Sequence, residues 1–266
     1  MVSLEEFIIY AYIFNDVFRL SFVFGVSSGM YFKLYFAAIA SVVSFVVFSL
    51  ILVKSRKAED RLTYIYVALG TLVAGVAILA VAIASYFYIN CPSIFTFIPE
   101  TTGILYRILY ILFPLIGLFF WLFFSRLIQI RRVVVYIFVI FSLVILFVNT
   151  ISTTITVSEV QLVSSVSIGL VVELIGLIYW LSVFLVISFS FYHFAAKQKG
   201  ELRIKGLLFG TAGIAGIMVQ LSAVFSLISN TMILQESSWI FAVAVFILMY
   251  FGLFPPKRLL AQTKGK

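Results

Sequence analysis

The chain consists mostly of apolar stretches, each of about 20 residues or more, in which charged side chains are almost absent. Such a stretch can cross the hydrocarbon core of a bilayer as an α-helix, because about 20 residues span that distance and a helix pairs its own backbone polar groups. The sequence therefore predicts an all-α, polytopic membrane bundle of seven transmembrane helices. The seven spans are residues 31–53, 62–88, 102–128, 133–149, 164–191, 204–228 and 237–254.

The composition agrees with this class of protein. The 266 residues are 64% hydrophobic and 11% charged, whereas soluble proteins carry about 25% charged residues. The connections between the spans are too short to form a separate soluble domain. We therefore expect three parts, with the lipid bilayer as the first partner: an N-terminal segment over residues 1–30, the helical bundle over 31–254 and a short basic cytoplasmic tail over 255–266.

The N-terminal segment leaves two alternatives open. Residues 4–25 are mostly apolar, and their few charged side chains include Asp16 and Arg19. A charge at the centre of a bilayer costs about 2.5–3.5 kcal/mol on insertion scales, which favours a helix that lies at the outer interface. Asp16 and Arg19 are three residues apart on a helix and could pair, so an eighth span is the alternative.

Lys and Arg are concentrated in alternate connections between the spans. Four lie in residues 54–61, three in 126–132, four in 197–205 and four in the tail, which makes fifteen of the 18 basic residues. Basic connections stay on the cytoplasmic side of the cell membrane. We therefore expect an outer N-terminus and a cytoplasmic C-terminus. The net charge of +8 then follows from topology, and no nucleic acid is expected as a partner.

One carboxylate lies deep inside a predicted span. Glu173 is about nine residues from the outer end of the fifth span, a depth of about 13 Å. An ionised carboxylate at that depth needs a partner or water. Arg107 in the third span and Gln220 in the sixth lie at compatible depths. Two interpretations are open. Glu173 and a partner form a structural pair that fixes helix packing, or these side chains form a site for a ligand, proton or ion. Three tyrosines are close enough in sequence to line it: Tyr106, Tyr110 and Tyr179.

Two spans carry small residues, glycine or alanine, at helical spacing. Glycines three or four residues apart form a smooth helix face that another backbone can approach closely. Packing within the bundle and contact with a second copy or a partner subunit are both open at this stage. The residues are Gly206, Gly210, Gly213 and Gly216 in the sixth span and Gly70, Ala74 and Ala77 in the second.

Two further local features are visible in the sequence. Pro114 falls in the middle of the third span, where it removes one backbone hydrogen bond and predicts a kink that could serve as a hinge. Residues 154–158 alternate with period two, which predicts a short extended segment in the connection before the fifth span.

Residues suited to catalysis or metal binding are scarce. His193 is the one histidine and Cys91 the one cysteine, so they cannot build a zinc site or supply two axial histidines to a haem. The sequence also contains no phosphate-binding glycine loop and no Gly-x-Ser-x-Gly motif. We expect no metal site, no cofactor, no catalytic residues and no enzyme activity.

The seven spans, the outer N-terminus, the basic last connection at residues 203–210 and the Pro256-Lys257-Arg258 sequence resemble the seven-helix sensor modules at the front of some histidine kinases. The resemblance is architectural and covers nearly the whole chain. It implies a sensor-like or receptor-like module that signals to a separate cytoplasmic effector, because no kinase, cyclase or phosphatase follows Phe254. Two other interpretations remain. One is a non-catalytic subunit with other membrane subunits as partners, and the other is a small transporter or channel that uses Glu173 and Arg107.

Overall fold

The architecture is described from a computed structural model. The structure describes residues 28–56, 58, 60–90, 99–152, 154–158, 163–167, 170–229 and 232–256, and for part of these only the backbone. The choice between an interfacial helix and an eighth span at residues 4–25 falls outside the described residues, as does the basic tail beyond residue 256.

Seven helices and one β-hairpin make up the described part of the chain. Five of the helices contain stretches long and apolar enough to cross a membrane, and the third and seventh contain the shorter apolar stretches Ile111–Leu127 and Ser237–Leu253. The predicted all-helical membrane bundle is confirmed. The helices are α1 (Ser28–Ser55), α2 (Arg61–Asn90), α3 (Pro99–Leu127), α4 (Arg132–Ser152), α5 (Leu170–Lys197), α6 (Gly200–Ser229) and α7 (Met232–Leu253).

The hairpin lies between α4 and α5. Strand β1 (Thr154–Ser158) pairs antiparallel with β2 (Val163–Ser167), and Thr156 lies opposite Ser165. The prediction that the fifth span begins at residue 164 was wrong, because β2 occupies that position and α5 begins at Leu170. Position 173 is therefore three residues from the start of α5, about 5 Å along the helix, and the predicted depth of Glu173 was too large. Three of residues 163–167 are serines, and so polar a segment is a poor part of a membrane helix.

Consecutive helices pack against one another, and two further contacts close the bundle. α1 contacts α7, and α3 contacts α5 as well as α2, α4 and both strands of the hairpin. α4 lies at the periphery, where it contacts α3 and, less extensively, α5. Most of its large apolar side chains are exposed, up to 68% at Val133 and 66% at Phe147. In a bilayer these side chains face lipid.

The basic connections meet at one end of the bundle. Lys54 at the end of α1 lies 4.8 Å from the ring centre of Phe254, just beyond α7. Arg126 near the end of α3 acts electrostatically on Asp60, which precedes α2. The α5–α6 connection joins the same end, because Gly252 near the end of α7 packs on Phe209 near the start of α6. The basic connections, which are far apart along the chain, thus lie together at one end of the bundle.

Aromatic side chains fill the centre of the bundle at the basic half. Phe124 on α3 packs edge-on against Phe191 of α5 at 5.2 Å and against Phe209 of α6 at 5.9 Å. Phe123, beside it, is 0% exposed and lies 5.7 Å from Phe209. Aromatic pairs in these geometries add to the packing energy of the buried rings.

Small and hydroxyl-bearing residues join α1 to α2. The Ser41 hydroxyl donates to the carbonyl of Gly75 at 3.1 Å, and the Ser44 hydroxyl donates to the carbonyl of Thr71. Such interhelical hydrogen bonds are characteristic of membrane bundles, where apolar burial alone does not favour helix contact over lipid contact.

Candidate functional site

A buried polar cluster links α3, α4 and α5. Tyr179 on α5 is 0% exposed, and its hydroxyl donates to the carbonyl of Pro114 on α3 at 2.9 Å. The same hydroxyl lies 2.9 Å from the Ser142 hydroxyl on α4. Because an unpaired hydroxyl is costly in an apolar interior, this arrangement ties the peripheral helix α4 to the two central ones.

The ring of Tyr179 is held from three sides. A Cβ added at Gly117 would lie 2.7 Å from the ring, so only glycine permits this approach. On the α4 side, Phe138 stacks on the ring at 5.3 Å and Phe141 meets its edge at 5.8 Å. The position of the hydroxyl is therefore set by packing as well as by hydrogen bonding.

A second polar contact lies one residue further along α5. The Trp180 indole donates to the carbonyl of Gly216 on α6 at 2.6 Å. On its other side the indole stacks on Phe113 of α3 at 4.2 Å. Trp180 therefore bridges α3 and α6.

The structure describes the predicted site only in part. Tyr179 and Pro114 come together through the hydrogen bond above, and Gln220 is half-buried on α6. The Glu173–Arg107 pair and the hinge role of Pro114 stay predictions. Four side chains of the predicted set lie outside the described residues: Tyr106, Arg107, Tyr110 and Glu173.

The glycine face of α6 packs against α5. A Cβ at Gly206 would lie 2.9 Å from the Cβ of Ala195, and one at Gly210 would lie 3.0 Å from the ring of Tyr192. Gly213 and Gly216 continue the same contact against Ser188 and Phe184. In α2, a Cβ at Gly70 would lie 2.8 Å from the Phe120 ring. In the described structure these glycines make contacts inside the bundle.

Sequence reasoning missed Ser142 and Trp180. Ser142 is the one serine between residues 133 and 151 of α4, and a serine in the middle of an apolar helix is a signal for a buried hydrogen bond. Trp180 gave no comparable signal, because an indole in an apolar span is common in protein cores and at the membrane interface alike.

Comparison with protein-family models, curated proteins and solved structures finds no match to this chain. Within the residues that the structure describes, no group of three or more His, Cys, Asp or Glu side chains is placed to hold a metal ion. The fold and its apolar helices define an integral, multi-pass membrane protein.

Proposed function

We propose that the protein is a non-enzymatic membrane module that acts through a partner. It is either a sensor-like module with a separate cytoplasmic effector or a non-catalytic subunit of a membrane complex. The observation that carries the proposal is the packed centre of the bundle, where Phe123, Phe124 and Tyr179 are at most 1% exposed. Transport or conduction needs a polar or water-filled route, and this part of the interior is filled by rings.

The hydroxyl groups of the described spans support the same view. Many of them donate to carbonyls of their own helix, as Ser85 does to Val81 and Ser222 does to Met218. A hydroxyl that donates in this way uses its proton within its own helix, and only its oxygen stays open as an acceptor. The protons of these hydroxyls therefore serve the helices rather than a path across the membrane.

The proposed topology has seven spans, an outer N-terminus and a cytoplasmic C-terminus. The basic end of the bundle supports it, since Lys and Arg in short connections resist translocation. With seven spans, the two termini lie on opposite sides of the membrane. The C-terminal tail then follows α7 directly into the compartment where an effector would be bound.

Glu173, Arg107 and Gln220 are the proposed site for a ligand, proton or ion in the outer half of the bundle. Helical spacing supports it. Position 173 is two turns before Trp180 on α5, and Gln220 is one turn beyond Gly216 on α6. Since Trp180 contacts Gly216, positions 173 and 220 both fall on the facing sides of these helices.

Gentle solubilisation of the full-length chain from its native membrane, followed by size analysis and protein identification, tests the proposal. We expect stoichiometric companions: integral subunits for a complex, or a soluble effector for a sensor. A lone chain that also carries ions or solutes into liposomes would overturn the proposal. In that case, loss of flux in Glu173→Gln but not in the control Ser49→Ala would locate the transport site.

A further inference from the structure

The connection between α3 and α4 carries positive charge without a carboxylate. Residues 126–132 contain three arginines and no acid, whereas residues 54–61 contain Glu59 and Asp60. In the α5–α6 region Glu201 pairs with Lys205 at 2.7 Å. Arg131 and Arg132 are exposed, and no carboxylate of the described residues pairs with either.

A continuous apolar stripe begins next to these two arginines. On α4, Val133, Ile137, Ile140 and Val144 follow at spacings of four, three and four, so they lie on one helix face. They are 68%, 62%, 62% and 51% exposed. The stripe runs about 16 Å along the helix, which is about one leaflet of the hydrocarbon core.

The residues of α4 fit lipid better than another helix. Close helix contacts in membranes rely on Gly, Ala and other small residues, and α4 contains neither Gly nor Ala. Its stripe is built of branched side chains, which leave shallow grooves along the helix. Tyr136, 63% exposed, lies one turn into α4, at the level where tyrosines meet lipid headgroups.

We propose that Arg131 and Arg132 bind the headgroup of an anionic phospholipid whose acyl chains lie along the Val133–Val144 stripe. Guanidinium groups bind phosphate oxygens in a bidentate manner, and the adjacent start of α4 favours an anion. The proposal does not depend on the partner proposed above.

Native mass spectrometry of the full-length protein in detergent tests this site. Phosphatidylglycerol and phosphatidylcholine with identical acyl chains are titrated separately, and glycerol 3-phosphate serves as the soluble headgroup. We expect preferential binding of phosphatidylglycerol, weakened about fivefold for each arginine removed by Arg131→Gln and Arg132→Gln. Glycerol 3-phosphate should not displace the lipid, because it lacks the chains that contact the stripe.

Two double variants at the same end of the bundle are the controls. Lys199→Gln with Arg203→Gln removes the same charge beside Glu201 and should leave binding within about twofold, since charge alone acts only within a Debye length. Arg131→Lys with Arg132→Lys should restore part of the affinity, because the charge returns without the bidentate geometry.

Three results would overturn the proposal. They are equal affinity of the unaltered protein for the two lipids, an equal loss in both charge-removing double variants, and full displacement by glycerol 3-phosphate. Circular dichroism and size-exclusion profiles verify that each variant is folded. Should the Arg131/Arg132 double variant not fold, the single variants and the salt dependence of lipid selectivity in the unaltered protein decide the question.

Discussion

At the scale of single residues, Tyr179 explains how a polar group is accommodated in this bundle. The sequence associated it with Glu173 in a pocket, whereas the structure gives it a carbonyl and a hydroxyl partner on two other helices. Its neighbour Gly117 makes room for the ring. A tyrosine that looks like a pocket residue in sequence is therefore a link between α3, α4 and α5.

Removal of the Tyr179 hydroxyl should loosen α4. We expect Tyr179→Phe to lower the free energy of unfolding in mixed micelles by about 1 kcal/mol, because interhelical hydrogen bonds in membranes contribute about 0.6–1.7 kcal/mol. The double variant with Ser142→Ala should cost less than the sum of the two single changes. Tyr86→Phe, at a residue 51% exposed, is the matched control and should have no effect. Equal losses at Tyr179 and Tyr86 would contradict the role of the cluster.

The predicted pair of Glu173 and Arg107 is testable in the same way. Glu173→Gln and Arg107→Ala should each lower stability, because each leaves the other side chain without its partner. If the two side chains pair, the double variant costs less than the sum of the single variants. If the losses of unfolding free energy in the two single variants simply add in the double variant, as measured by denaturant titration, the pairing is excluded.

At the scale of the elements, α5 and α6 form the tightest glycine-mediated contact described in the chain. Gly213 faces the backbone of α5. A Cβ added at this glycine would lie 3.0 Å from the carbonyl oxygen of Phe184. A backbone atom cannot move out of such a contact as the end of a flexible side chain can. The four glycines of α6 therefore determine how closely the two helices approach.

A methyl group at Gly213 should separate α5 from α6. We expect Gly213→Ala to destabilise the protein by about 1–3 kcal/mol, the usual cost of overpacking. Gly176→Ala is the control: its added Cβ meets no described atom within 4 Å, so we expect no loss and a small gain from helix propensity. Thermal unfolding followed by circular dichroism compares them. Equal stability of the two variants would show that the close contact is not needed.

The start of α2 should respond to acid. Asp60 caps this helix, because its carboxylate accepts hydrogen bonds from the hydroxyl and the backbone N–H of Thr63. The Thr63 hydroxyl is the main reason that the pKa of Asp60 lies below its ordinary value. Slight burial opposes the shift, and the Thr63 N–H and the charge of Arg126 support it.

Since the folded pKa is depressed, the stabilisation by Asp60 is present above about pH 4, the ordinary pKa of an aspartate, and is lost as the pH falls through the folded pKa. Asp60→Asn should lower the thermal stability at pH 7 slightly and should reduce the difference between pH 7 and pH 3. The measurement is the midpoint of thermal unfolding in both proteins at the two pH values. An unchanged pH dependence in the variant would rule out a contribution from this cap.

At the scale of the whole molecule, the fold gathers the basic connections at one end and leaves α4 at the rim. The contact of Lys54 with Phe254 and the proximity of Arg126 to Asp60 join these connections across the bundle. Positively charged connections stay in the cytoplasm. We therefore expect the basic end to face the cytoplasm, which fixes the orientation of every helix in the chain.

Cysteine labelling tests that orientation directly. With the single native cysteine removed by Cys91→Ser, Gln129→Cys probes the basic end and Thr150→Cys probes the opposite end of α4. A reagent that does not cross membranes should label position 150 in intact cells and position 129 only after permeabilisation. The reverse pattern would place the basic end outside, and the Cys91→Ser protein alone provides the background signal.

Several features of the fold were predictable because they are local properties of the chain. The length of the apolar runs predicts membrane helices, and the alternation at residues 154–158 predicts the extended segment that became β1. The start of α5 was misplaced, because Val163–Ser167 directly precedes an apolar run and was counted with it, and its pairing with β1 depends on another segment. Within the site, Tyr179 and Pro114 were named from sequence, whereas their hydrogen bond was not.

The sequence by itself determined the class of the protein, its helices and the charge of one end, since each depends only on neighbours along the chain. The tertiary structure decided which helices touch: the α1–α7 contact, the peripheral α4, the bond between Tyr179 and Ser142, and the glycine face turned toward α5. The physical reason is the solvent. Lipid is as apolar as the core, so a membrane helix carries little pattern to distinguish its buried side from its exposed one. Side-chain fit and hydrogen bonds between helices select their neighbours.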